Sequence, residues 1–534
     1  MATYLGADFI VETLADEGVR HVFTVPGGQM IPIYYAIDEH RSMELVVPRH
    51  EGAAALMACG YSMAGHPSCV MSTVGAGVAY ELGALALAWR ERLPVISMAP
   101  QVQSYKMKPI QENLQACDQD DIFSPVTKFH AIMYHRDRIP SLIRRAVRTA
   151  LSPEQGPVHL DTPLDVILGF KRVSRSKKKR LFPDREFRFH GHVKPSVEAV
   201  RKAAELISSA SRPLVLAGRN VERSRAGESL MRFFTSAGIP VITSSSAWAS
   251  VSSLSDLFLG HAGLWNNAAG VKSLARNDTL IIIEADEETG RLAREIVAAD
   301  GSMPVVQTAE LAASVGSLVP VTAGISGSVN SVLDELAAAV ETLNMKQKRD
   351  SGWITSLLKT RQTIEKEYLR GTGPGRRVEN VISVIEAINS AVDEDAIIVC
   401  DGKMVCETAM LRLKRNGLHN TVMLADGYSA GAGFPLAMGM KCALKQRKVI
   451  LLTDAGSFKR HSREIETMIR YDLPMAVFLF QDKEAKPREE VDFTRFAESF
   501  GLEAKTIIDP RKEINAETIT RAMGMPCGIL FDIS

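Results

Sequence analysis

Cysteine is scarce in this chain. The seven cysteines, at positions 59, 69, 117, 400, 406, 442 and 527, are odd in number, scattered, and free of any CxxC pair. That pattern argues against zinc and against a disulfide framework, and suits reduced thiols in a cytoplasm. An excess of charge is equally missing. Lys plus Arg number 63 and Asp plus Glu 62, a formal net charge of +1, whereas a surface that tracks phosphates needs a clear basic surplus. Nucleic acid is therefore not an expected partner. No apolar run approaches the roughly 18 to 20 residues of a membrane helix, and Arg90 and Arg92 interrupt the most hydrophobic stretch, from Leu82 to Ile96. The first residues reach Asp8 without the basic and apolar regions of a signal peptide. There is no HExxH. Gly427 to Gly433 lacks the GxGxxG spacing of a dinucleotide loop.

What remains is an average soluble composition, 46% apolar and 23% charged, over 534 residues. That length exceeds one hydrophobic core and sets an expectation of two to four domains. Residues 6–19 have the spacing of an amphipathic helix, with Phe9, Ile10, Leu14 and Val19 on one face. Short buried-strand runs follow at 22–25, 45–47, 68–73 and 95–98, separated by helical stretches such as 52–63. After a basic, apolar-poor break at 171–180 the alternation resumes with helices at 195–209 and 224–237 and strands at 213–217, 240–243 and 280–283. A polar stretch precedes a third unit with strands at 397–400, 449–452 and 476–480. Strand–loop–helix at this spacing predicts α/β architecture: three consecutive doubly wound parallel-sheet domains over 1–168, 193–345 and 378–534. Residues 169–192 and 346–377 are the expected linkers.

One segment concentrates chemistry. Arg49-His50-Glu51-Gly52-Ala53-Ala54 puts a carboxylate where a strand passes into a small-residue helix, an end that stabilises negative charge. Before it stands Gly18 to Ile31, with Gly27 and Gly28; after it stand Ser72-Thr-Val-Gly-Ala-Gly77 and Pro94 to Val102. This ensemble resembles the thiamine-diphosphate (ThDP) enzymes of the acetohydroxyacid (acetolactate) synthase type. The likeness runs from about residue 5 to 169, weakly through 195–345, and again from about 380 to 534. Gln115, Asp118, Pro125-Val-Thr-Lys128 and Gly156-Pro-Val-His-Leu-Asp161 extend it.

The resemblance implies a pyrimidine-binding-type, a central and a diphosphate-binding-type domain, in that order. It implies that Glu51 hydrogen-bonds the cofactor's aminopyrimidine and so promotes loss of the thiazolium C2 proton. Gln115 then belongs to the substrate cleft, and Gly27 and Gly28 to the cofactor site. A pyruvate-like 2-keto acid is the implied substrate, and the site is shared between subunits of a homodimer or homotetramer.

The third domain departs from the family. Members hold the diphosphate through Mg2+ with a Gly-Asp-Gly-Ser motif and a later Asn; here the text is Thr453-Asp-Ala-Gly-Ser457, then Gln481-Asp482. Ala455 stands at the metal-binding Asp, which leaves Asp454, by a one-residue shift, and Asp482 as candidate ligands. Gly427, Ser429, Ala430, Gly456 and Ser457 fall at cofactor-binding positions, with Ala430 where the family has a bulky residue. The chain between Asp482 and Phe493 is short where the family carries a closing loop. Lys459 and Arg460 fall in the first turn of the helix expected after Ser457, where cations oppose the macrodipole unless an anion is bound. Either they neutralise a diphosphate in place of Mg2+, or they face solvent. In the central domain, Asp286 stands where flavin-binding members have arginine, so FAD stays open. Two functions follow. One is a ThDP-dependent lyase or carboligase with an altered diphosphate site. The other is the same scaffold without ThDP and Mg2+, either repurposed, for instance to an FAD-dependent reaction, or a non-catalytic paralogue.

Overall fold

The computed structural model describes residues 2–183, 186–188, 191–343, 349–371, 375–424, 430–481 and 491–533. A short ribbon pairs β1 (Ala2–Leu5) antiparallel with β8 (Phe170–Val173). Between them lie β2 (His21–Thr24), β3 (Glu44–Val46), β4 (Ser68–Met71), β5 (Val95–Gln101), β6 (Phe129–Ile132) and β7 (Val158–Pro163). The second unit holds β9 (Pro213–Ala217), β10 (Val241–Thr243), β11 (Phe258–His261), β12 (Thr279–Ile283), β13 (Val305–Ala309) and β14 (Ala323–Ser326). The third holds β15 (Ile397–Asp401), β16 (Thr421–Leu424), β17 (Val449–Asp454), β18 (Ala476–Phe480), β19 (Glu503–Ile507) and β20 (Ile529–Ile533). Among the described residues each unit forms one six-stranded parallel sheet. Most of these strands are apolar on both faces, as helix-covered parallel sheets require; Leu280-Ile-Ile-Ile283 has no exposed residue.

Strand order locates the crevices. The first sheet runs β3-β2-β4-β5-β7-β6 and the third β16-β15-β17-β18-β20-β19, the same topology twice; the central sheet runs β11-β10-β9-β12-β13-β14. In open α/β sheets a ligand crevice opens beyond the strand C-termini where the order reverses. Those points are β2/β4, β9/β12 and β15/β17.

Two stretches expected as linkers carry structure. Within 169–192, β8 leads into the helix Arg175–Leu181, capped by Ser174 Oγ on the Lys177 N–H at 3.3 Å and tied down by Lys178 to Glu12 at 2.6 Å. Within 346–377, the helix Ser351–Gly371 buries Trp353, Leu357 and Ile364 in the central apolar cluster. Both are rich in charge on their exposed sides, which hid their apolar or pairing faces.

The first and third units meet through two helices, Glu51–Met63 and Gly433–Ala443. A Cβ at Gly60 would stand 2.0 Å from the Leu436 carbonyl oxygen, and one at Gly439 1.9 Å from that of Met57. Glycine lets the backbones touch. The pairing of 60 with 436 and 57 with 439 makes the helices antiparallel, so Glu51 and Gly433, each at its helix start, lie at opposite ends of the contact.

Candidate active site

Glu51 is the first residue of its helix, half-buried, beside the β2/β4 crevice. The preceding cap is His50, whose Nδ1 accepts the Gly52 N–H at 3.0 Å. Burial, together with the positive charge of Arg463, holds the His50 pKa below its usual value, which keeps the ring nitrogen an acceptor. The loop after β2 brings Gly27 against Thr73; a Cβ at Gly27 would meet Thr73 Cβ at 2.4 Å. Gln29 bridges the two loops. Thr73 Oγ1 donates to its oxygen at 2.9 Å, and its amide donates to Gln115 Oε1 at 2.7 Å. Gly77 faces both Thr73 and Glu51: a Cβ there would lie 2.7 Å from Thr73 Cγ2 and 3.4 Å from Glu51 Oε1. Gly28 opens onto space with no atom within 4 Å of its Cβ position. The structure therefore gathers Gly27, Gly28, Glu51 and Gln115 around one crevice, together with Gln29 and Thr73, which sequence reasoning passed over.

At the β15/β17 crevice Asp401 ends β15 and is buried, accepting the N–H groups of Gly431 at 3.0 Å and Gly433 at 2.9 Å. Burial pushes its pKa up to about 6, those N–H groups oppose the rise, and the negative Asp454 adds to it. Asp454 ends β17. Its Oδ1 accepts the Ser457 N–H at 2.8 Å, capping the helix Ala455–Lys459, and its Oδ2 sits 2.0 Å from the Cβ position of Gly402. Gly402 has φ +97°, so glycine is required there twice over. Gly456 is exposed and Ser457 buried within this turn. Asp401 and Gly402 were legible as an Asp-Gly pair closing a strand run, yet went unnoticed.

The capping corrects the expected position of the cations. Because Asp454 starts the helix three residues early, Lys459 is its last residue and Arg460 lies beyond it, at the end where positive charge is favoured. Both are exposed. The Arg460 stem packs against Gly431, with Cδ 2.4 Å from that residue's Cβ position, and Lys459 Nζ lies 6.0 Å from the Phe493 ring centre. Ala430 precedes Gly431 and is partly buried. Gly427, Ser429 and Asp482 lie outside the described residues.

Magnesium needs near-octahedral oxygen ligands. Ala455, 3% exposed, offers a methyl group, and Asp454 is already committed to its cap and to Gly402. No group of three or more His, Cys, Asp or Glu able to hold a metal gathers among the described residues. Ala455 thus supplies no Mg2+ ligand, and the other candidate, Asp482, lies outside the described residues. At Gly28 the crevice around Glu51 stays open, which suits a flat heterocycle, while Gly27 and Gly77 make room for the Thr73 side chain.

The β9/β12 crevice carries buried carboxylates beside a cavity of about 420 Å³ lined by Arg219, His261, Gly263, Glu288 and Arg291. Asp286 caps the helix Glu287–Ala299 by accepting the Thr289 N–H at 3.0 Å and also takes the Arg219 N–H at 2.9 Å. Glu288 accepts the N–H of Ser245 and of Gly263, each at 2.8 Å. Although burial opposes it, the bonds from His261 and Ser245 hold Glu288 down to about 2. With Arg90, Arg219 and Arg291 lining it beside Glu287 and Glu288, this crevice stays open to an anionic ligand.

Three family models match the chain: the N-terminal thiamine pyrophosphate (TPP) binding domain over residues 5–122, the central domain over 200–336 and the C-terminal TPP binding domain over 406–531. The chain belongs to the thiamine pyrophosphate enzymes. Thiamine pyrophosphate is ThDP by another name, and each match falls within one of the three units. The chain is 28% identical to a probable acetolactate synthase large subunit of Methanocaldococcus jannaschii, over 95% of this chain and 88% of that one. It is 26% identical to the acetolactate synthase large subunit of Haemophilus influenzae, over 88% and 81%. With the acetolactate synthase of Bacillus subtilis it shares 24% identity over 99% and 92%. In this thiamine pyrophosphate enzyme, none of the described helices is long and apolar enough to cross a membrane.

Proposed function

We propose that the protein is a ThDP-dependent carboligase or lyase acting on a pyruvate-like 2-keto acid, in the manner of acetolactate synthase. The observation that carries this is Glu51 at a helix start, facing a crevice left open at Gly28. When bound, ThDP supplies a thiazolium ring that accepts the electron pair left by departing carbon dioxide. Glu51 would hold a proton against a ring nitrogen of the aminopyrimidine. Gln29 and Gln115, bonded to each other, offer amide groups to the substrate carboxylate. Arg460, beside Gly431, supplies positive charge to the diphosphate in place of Mg2+.

The competent unit is a pair of chains. Within one chain Glu51 and the Asp401–Gly431–Asp454 cluster lie at opposite ends of an antiparallel helix contact. Large apolar side chains also stand exposed on the first unit, among them Tyr35, Tyr80, Tyr105 and Leu114. Such a surface suits burial against a second copy.

A second reading is supported by the capped Asp454 and by Ala455: the same scaffold, without ThDP, serving another reaction or none. Mass spectrometry of small molecules released from the native protein separates the two. ThDP is expected, and its binding by calorimetry is expected to persist in EDTA. Neither ThDP in the native protein nor binding of added ThDP would establish the second reading.

A further inference from the structure

Beneath the wall of the Glu51 crevice runs a chain of polar side chains cut off from solvent. Glu81, Ser97, His159, Asp161 and Gln119 are all 0% exposed. Ser97 and His159 stand opposite each other on the paired strands β5 and β7. Ser97 Oγ lies 2.7 Å from Glu81 Oε2 and 2.9 Å from His159 Nδ1, and His159 Nε2 lies 3.1 Å from Asp161 Oδ1. Gln119 closes the far end: its amide nitrogen is 2.5 Å from the same Asp161 oxygen, and its oxygen accepts the Gly75 N–H at 2.9 Å. Gly75 belongs to the loop of Thr73 and Gly77, and Glu81 follows that loop by four residues, so the chain fixes both ends of one crevice wall.

The donors can be assigned by elimination. A backbone N–H only donates, so the Gln119 oxygen faces Gly75 and its amide nitrogen faces Asp161. Asp161 Oδ1 therefore accepts, and His159 Nε2–H donates to it. The Ser97 hydroxyl then has two ways to satisfy every bond. With a proton on Glu81, Glu81 donates to Ser97 and Ser97 donates to His159 Nδ1. With the proton on His159 Nδ1, the ring donates to Ser97 and Ser97 donates to the Glu81 carboxylate. Passing between them, the Glu81 proton moves to Ser97 Oγ while the Ser97 proton moves to Nδ1. One O–H bond is broken and re-formed at Ser97, one is lost at Glu81, one N–H is gained, and the net charge is unchanged.

We propose that Glu81, Ser97 and His159 hold one shared proton beneath Glu51, and that its position answers the charge on Glu51. Glu81 is thus a positioning residue. The groups that face it are Cys69 from β4, Ser72 just after that strand, Ser97 from β5, His159 from β7 and Glu51 from the Glu51–Met63 helix. Burial is the main reason its pKa is pushed up to about 7, and the nearby Glu51 charge adds to the rise. The coupling is reciprocal: an anionic Glu81 makes Glu51 hold a proton more firmly, and a negative Glu51 drives the shared proton back onto Glu81. The proposal rests on Glu51 as the cofactor-facing acid, but the relay exists without cofactor.

Its test is 15N NMR of histidine-labelled, cofactor-free protein, with the His159 signals identified by their loss in His159→Gln. Glu51→Gln removes a negative charge near Glu81, so His159 Nδ1 is expected to move toward its protonated position. Ser97→Ala is expected to abolish that response, and Glu81→Gln gives a second cut should Ser97→Ala fail to fold. Identical His159 nitrogens in wild type and Glu51→Gln would overturn the relay. In the ThDP-loaded protein, Glu81→Gln is expected to shift the acid limb of kcat/KM to lower pH by about half a unit to one unit. A lower Tm with that limb unmoved would overturn the coupling to catalysis. A protein that takes no ThDP would instead sink the proposed function, and the histidine signals would still decide the relay.

Discussion

Gly402 and Glu284 show how much of this molecule rests on single positions with unusual requirements. Gly402 combines a left-handed backbone with an Asp454 oxygen 2.0 Å from its Cβ position. Gly402→Ala is therefore expected to destabilise the protein by about 1 to 3 kcal/mol, read as a lower Tm with weakened ThDP binding. An unchanged Tm would mean that Asp454 does not sit over the end of β15. Glu284 is buried with φ +52° and takes a hydrogen bond from Asn220 at 3.1 Å. Burial pushes its pKa up to about 8 from the usual 4.5. Between those values the folded chain binds a proton that the unfolded chain has released, so stability falls as pH rises through that window. Glu284→Gln removes this contribution. Denaturant midpoints measured from pH 5 to 8 are expected to decline less steeply in the variant than in the wild type.

At the scale of elements, the sheets were legible because their strands are continuous apolar runs that few other structures explain. Leu280 to Ile283 and Ala476 to Phe480 fell into strands with little or no change of boundary. The helix Ser351–Gly371 was not legible, since Trp353, Leu357 and Ile364 are its sparse apolar residues among many charges. The turn after β17 was misplaced because Asp454 was weighed as a metal ligand, while its nearest partner is the Ser457 N–H and its work is to cap. Glu51 was legible from its local text. Gln29, beside it, and Asp401, at the far end of the helix contact, gain meaning instead from strand order, which spacing along the chain does not reveal. The antiparallel helix contact makes its own prediction. Gly439→Ala forces a methyl group onto the Met57 carbonyl and is expected to cost about 1 to 3 kcal/mol. Differential scanning calorimetry reads this as a lower Tm, whereas a neutral result would show that the helices do not touch there.

Across the molecule, one sheet topology is used twice and a different one between them, giving three crevices with three fates. The first is open and lined by glycine. The second holds the capping carboxylates Asp286 and Glu288 beside open cavities, so a yellow chromophore in the purified protein would mark it as an FAD site, and a protein that stays colourless after incubation with FAD would rule that out. The third keeps its glycine loop and its buried Asp401 but has Ala455 where a metal ligand is expected. Near neutrality of the chain, 63 basic against 62 acidic residues, suits an anionic cofactor held by a few local groups such as Arg460. The most direct test of the central claim follows 13C-labelled pyruvate by NMR with purified protein, added ThDP and excess EDTA. Release of labelled carbon dioxide that requires ThDP, and that falls about 100-fold or more in Glu51→Gln, is the expected result. Turnover independent of ThDP, or equal in wild type and Glu51→Gln, would contradict it.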